Sequence, residues 1–157
     1  MVKLFLRSSI LALLGIVAAA SAVAGNVSVK PSLAAPKITS VSKIGTTRLQ
    51  TITIKGTGFG TFTPYTGNSP FIWLRELKSD GNPNHVLWEA GYSPDHDTVT
   101  LIVKSWTNTK IVLGGFAGKW GTSNFTLHKG DWEQIKVWNW QGNPPSSPSS
   151  IFKVKIQ

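Results

Sequence analysis

The stretch Thr51-Ile52-Thr53-Ile54-Lys55-Gly56-Thr57-Gly58-Phe59-Gly60 decides how the rest of this 157-residue sequence is read. Its first half alternates. Ile52 and Ile54 share one parity and Thr51 and Thr53 the other, the pattern of a strand with one buried face. Its second half sets glycines around a single aromatic residue. Glycine reaches positive φ without a Cβ clash, so the run predicts a sharp turn where a strand leaves a sheet. Phe59 is then expected to tuck beneath the sheet as a plug. A phosphate-binding loop is also glycine-rich, but it needs a helix N-terminus behind the glycines. Here Thr61-Phe62-Thr63-Pro64 follows, which starts no helix.

Outward from this stretch, no window after residue 37 carries a capped helical period. Short β-rich runs separated by turn clusters appear instead, at 38–44, 49–55, 71–78, 85–92, 98–106, 110–116, 132–140 and 151–156. Asp80-Gly81-Asn82-Pro83, Pro94 to Asp97, Thr107-Asn108-Thr109, Gly130-Asp131 and a Pro/Ser/Gly loop from Gly142 to Ser150 supply the connections. In the 98–106 run, Val99, Leu101 and Val103 share a face. The expectation is an all-β chain, an immunoglobulin-like β-sandwich of two antiparallel sheets. The absence of cysteine excludes an antibody-type disulfide core, a zinc finger, a thiol nucleophile and a lipid-modified cysteine anchor.

The N-terminal segment reads differently. Lys3 and Arg7 precede an almost wholly apolar run from Ser8 to Ala20, and Ala22-Val23-Ala24 has the small-x-small form of a cleavage site. This is the pattern of a secretory signal peptide, with an apolar run too short for a comfortable membrane span. The expected organisation is a signal peptide over 1–24, a linker over 25–36 that is small, polar and proline-punctuated, and one domain over 37–157. Export implies a secreted or cell-surface protein, with no membrane span left once the leader is removed. A core then does the work that disulfides do elsewhere.

Several segments together resemble an IPT/TIG domain, a family with an early-set immunoglobulin-like fold. Pro36-Lys37-Ile38-Thr39-Ser40-Val41 and the strand ending in Gly56-Thr57-Gly58-Phe59-Gly60 resemble its opening. Val103-Lys104-Ser105-Trp106-Thr107-Asn108-Thr109-Lys110-Ile111-Val112 is similar to its strand–corner–strand segment. Gly130-Asp131 and the closing Phe152-Lys153-Val154-Lys155-Ile156 are similar to its last strands. The resemblance spans residues 36–157 and implies the sandwich fold, a binding role and a buried corner for Trp106. The long aromatic loop from Thr61 to Pro70 and the segment from Leu77 to Tyr92 depart from a minimal repeat of the family.

Residues that carry chemistry are sparse. His85, His96 and His128 show no metal-ligand spacing, so no metal or cofactor is expected. Asp95-His96-Asp97 and Asp80-Gly81-Asn82 read as solvated turns, the latter lacking the distal ligands of a calcium loop. No Gly-x-Ser-x-Gly elbow occurs. Among the carboxylates, only Glu76 and Glu89, on strands expected to be neighbours, offer a pair that a glycosidase would need.

The tryptophans are the stronger signal. Along 132–140, Ile135 and Val137 take the core parity, while Trp132, Lys136, Trp138 and Trp140 take the outer one. The competing arrangement has the Thr61–Pro70 loop, or Trp73 and Trp88, covering this ladder. Trp120, in Gly118-Lys119-Trp120-Gly121, is expected at a loop tip as a further contact residue. The formal net charge is +9, but the lysines are scattered singly, and export argues against a nucleic-acid partner. Lys153 and Lys155 suit an edge strand guarded against sheet-to-sheet aggregation. The leading expectation is a secreted, non-catalytic binding or adhesion module that contacts polysaccharide or a cell-surface protein through Trp132, Lys136, Trp138, Trp140 and Trp120. The alternatives are a small carbohydrate-active enzyme and a structural subunit assembling through sheet edges.

Overall fold

The computed structural model describes residues 33–61, 71–91, 99–141 and 147–157. The expected leader, most of the expected linker, the loop 62–70, Asp95-His96-Asp97 and residues 142–146 lie outside them. Eight strands and no helix occur among the described residues: β1 (Lys37–Val41), β2 (Ile52–Thr57), β3 (Ile72–Leu77), β4 (Val86–Gly91), β5 (Val99–Trp106), β6 (Lys110–Gly118), β7 (Trp132–Val137) and β8 (Phe152–Lys155). Each falls on a run expected from alternation and turn punctuation, and the all-β expectation holds.

Pairing alone does not divide the strands into two separate antiparallel sheets. Pairing runs through all eight strands in the order β1-β2-β6-β5-β4-β3-β7-β8. The sheet is mixed because β4 and β5 run parallel, joined at Ala90 and Val99; all other neighbours are antiparallel. Just beyond the two outermost strands, Ile44 and Ile156 form a parallel bridge, and the Gln157 N–H donates to the Ile44 carbonyl at 2.9 Å. The sheet therefore curls until its ends nearly meet. Strand alternation predicts which residues face each other, but not whether two stacked layers join at a corner.

One continuous core fills the interior. Ile52 and Ile54 of β2, Ile111 and Leu113 of β6, Val99 and Leu101 of β5, Ile72 and Leu74 of β3 and Ile135 and Val137 of β7 are all buried. Each such side chain contributes about 1.5–3 kcal/mol relative to exposure. Thr51 is exposed and Thr53 half-buried, as the alternation in β2 requires.

The glycine turn after β2 docks on the corner between β5 and β6. Phe59 is fully buried; its N–H donates to the Asn108 carbonyl at 3.1 Å, and its own carbonyl accepts the Trp106 Nε1–H at 3.0 Å. Gly58 has φ +77°, in the region that favours glycine. At Gly56 the reason is space, since a Cβ there would lie 2.0 Å from the Lys37 carbonyl oxygen on β1.

Candidate functional site

The sheet built from β4, β3, β7 and β8 has two chemically distinct faces. Its outer face takes Trp73 and Arg75 from β3, Trp132, Gln134 and Lys136 from β7, Glu89 from β4, and Lys153 and Lys155 from β8. Cross-strand register sets Trp73 opposite Lys136 and Arg75 opposite Gln134, Arg75 opposite Glu89, and Trp132 opposite Lys155. Cations lie over rings throughout. Lys136 Nζ sits 5.0 Å and Arg75 Cζ 5.1 Å from the Trp73 ring centroid, and Lys155 Nζ lies 5.3 Å from that of Trp132. Cation–π contacts of this kind contribute about 0.5–1 kcal/mol each at exposed sites. Arg75 also pairs with Glu89 at 3.2 Å.

The expected parity within β7 is observed, with Ile135 and Val137 in the core and Trp132 and Lys136 half-buried on the other face. The strand is shorter than expected. It ends at Val137, so Trp138 and Trp140 lie in the following turn rather than on the ladder. The Trp138 N–H donates to the Phe71 carbonyl at 2.8 Å. Trp140 is 37% exposed; its Nε1–H donates to the Thr61 carbonyl at 2.8 Å, and its ring lies 6.3 Å from that of Phe71. Thr61 and Phe71, the described residues on either side of 62–70, thus both lie beside this turn. Trp73, 7% exposed beneath its two cations, takes the central place in the aromatic ladder. Trp120, expected at a loop tip, instead stacks on Phe116 at 4.4 Å and meets Trp88 edge-on at 5.6 Å, where it packs against the core.

The inner face holds a different group. Glu76 of β3 and Glu133 of β7 stand opposite each other in the register, and both are fully buried. Glu76 accepts from the Trp88 indole N–H and from the His128 backbone N–H at 2.7 Å, and lies 3.2 Å from His128 Nδ1. Neither Glu133 oxygen has a hydrogen-bond partner. Burial, reinforced by the neighbouring Glu76 charge, pushes the Glu133 carboxyl well above the ordinary range. Burial also raises Glu76, opposed by its contacts to His128 and Trp88. Glu76, His128 and Asp131 bring possible ligand atoms within 4.8 Å of one another.

The Glu76–Glu89 pair suggested by sequence is not brought together. Glu76 points into the core and Glu89 stands on the outer face against Arg75, so the sheet separates them and they cannot flank one bond. Asp80-Gly81-Asn82 is a turn, as expected: Asp80 accepts the Asn82 N–H at 3.0 Å and meets His85 Nδ1 at 2.6 Å. The inner cluster was missed, yet a signal for it existed. The core parity of Ile135 and Val137, carried back along the chain, reaches Glu133 and Asp131. No helix among the described residues is long and apolar enough to cross a membrane. No protein-family model, curated protein or solved structure matches this chain.

Proposed function

We propose that the chain is an exported, non-catalytic binding module of the IPT/TIG type that holds an acidic polysaccharide on the outer face of β3, β7 and β8. One observation carries the reading: Lys136 lies over Trp73 and Lys155 over Trp132 on the same face. Rings offer flat apolar area for a sugar, and cations beside them suit carboxylate or sulfate substituents. Arg75 and Lys153 add positive charge there, and Glu89, already paired with Arg75, is the face's one carboxylate among the groups named. Same-face positions along a strand are about 6.5–7 Å apart, close to the scale of a sugar ring. Trp138 and Trp140, at the end of β7, extend the surface.

The sandwich reading is supported by the weakness of the β4–β5 joint, a single residue pair among the described residues between β1-β2-β6-β5 and β4-β3-β7-β8. Those halves have the strand content of an immunoglobulin-like sandwich with one added edge strand. The IPT/TIG reading is supported by contact between the two segments that carry the resemblance, Phe59 of the glycine turn and Trp106 of the corner. The lysines of edge strand β8 weigh against assembly through that edge.

Titration calorimetry of the purified protein against acidic and neutral polysaccharides tests the proposal. Acidic chains should bind, more weakly at high salt, and Trp132→Ala and Lys136→Ala should each reduce affinity about tenfold, the scale of one good interface contact. Absence of binding to every polysaccharide, or binding untouched by both substitutions, overturns it.

A further inference from the structure

We propose that Glu76, His128 and Asp131, with the buried Glu133 beside them, form a binding site for a divalent first-row metal ion, with Zn2+ the best fit, at the end of the core between β3 and β7. No metal-ligand motif announces it, because the ligands are assembled by register and by one turn. The Asp131 N–H donates to the His128 carbonyl at 3.1 Å, a tight turn that brings the imidazole and the carboxylate together. Glu133 is two residues further on and shares the face of Asp131. Glu76 is delivered from β3 as the cross-strand partner of Glu133.

The spacing suits a shared ion. Two ligands about 2.0–2.1 Å from a tetrahedral zinc lie about 3.4 Å from each other. Glu76 Oε1 and His128 Nδ1 are 3.2 Å apart, and Asp131 offers an oxygen within the same 4.8 Å cluster.

Glu133 supplies an independent observation. It is fully buried beside the cluster, and both of its oxygens lack a partner. An ionised carboxyl without donors is among the costliest groups a core can hold. A cation held by Glu76, His128 and Asp131 would supply counter-charge beside Glu133. The His128 side chain is about half exposed and Asp131 partly so, which leaves a route for an ion from solvent. Carboxylates with one imidazole favour zinc or a similar ion; calcium and magnesium prefer all-oxygen shells, and copper(I) prefers sulfur.

The test uses protein stripped with chelator, dialysed against Zn2+, and read by metal analysis and thermal melting. One zinc per chain and a melting temperature that rises with zinc concentration are expected. His128→Ala and Asp131→Asn should each weaken zinc binding about tenfold or more, while melting in EDTA close to the parent. His85→Ala, which removes the other His–Asp contact, should bind zinc as the parent does. Failure to bind zinc, an unchanged melting temperature with zinc, or equal binding by the His128 and Asp131 variants overturns the proposal.

Discussion

Glu133 and Glu76 face each other across β3 and β7, both fully buried, yet only Glu76 meets hydrogen-bond donors. The asymmetry separates two substitutions of similar size. In EDTA, Glu133→Gln should leave the urea midpoint unchanged or raise it, because a neutral amide replaces a buried acid that has no donor. Glu76→Leu should lower stability by about 1–3 kcal/mol, since the His128 backbone N–H that Glu76 satisfied loses its acceptor. Urea unfolding of both variants against the parent provides the comparison, and an equal loss for the two would contradict it.

The glycine turn permits a graded experiment. Gly56→Ala places a Cβ 2.0 Å from the Lys37 carbonyl oxygen, so β1 has to move off β2. Gly58→Ala meets only Pro36 Cα at 3.5 Å and suffers mainly from its positive φ, a cost of about 1 kcal/mol. Gly56→Ala should therefore be clearly the more damaging, with the extra loss visible as faster hydrogen exchange in β1.

On the outer face, Trp73→Ala and Trp132→Ala should separate stability from binding. Trp73 is almost buried beneath Arg75 and Lys136, so its removal should cost about 3–5 kcal/mol. Trp132 is half-buried, with its Nε1–H donating to the Ser79 carbonyl at 3.3 Å and Lys155 above it. Its removal should shift the melting temperature far less while weakening polysaccharide binding. Melting curves of both variants decide whether the ladder divides in this way.

The Asp80 side chain is about half exposed, and its carboxyl is held below the ordinary range, chiefly by the Asn82 N–H and then by His85. A depressed folded-state value means stabilisation that is present above the unfolded carboxyl's pKa and lost as pH falls through the folded one. NMR titration should find Asp80 ionising below the ordinary aspartate range, and Asn82→Pro, which removes the donor, should move it upward.

Strand positions were legible because each carries a period-2 signal over several residues: Ile52 and Ile54 share one face, and Ile135 and Val137 take the core parity. Phe59 was legible as a plug because the glycines around it leave it no strand to join. The site was legible only in part. Trp132 and Lys136 follow from parity, but Trp73 does not, because β3 carries a charged residue on each parity, Arg75 and Glu76, so alternation does not mark its outer side. Trp120 lies in a turn, as its flanking glycines suggest, but its stacking on Phe116 is not legible, because only the turn that folds it back sets that contact. The buried carboxyls violate the rule that acids face water, so alternation was read from the apolar residues around them.

The bridge between Ile44 and Ile156 has a kinetic consequence. It joins points near opposite ends of the domain, so the curl of the sheet closes only after nearly all the intervening chain is in place. Closing such a span costs loop entropy before any contact rewards it, and chains dominated by distant pairings fold in milliseconds to seconds rather than microseconds. A chain that folds slowly stays thread-like for longer. For a protein proposed to cross a membrane through a narrow channel, the interval before closure is the time in which it can pass.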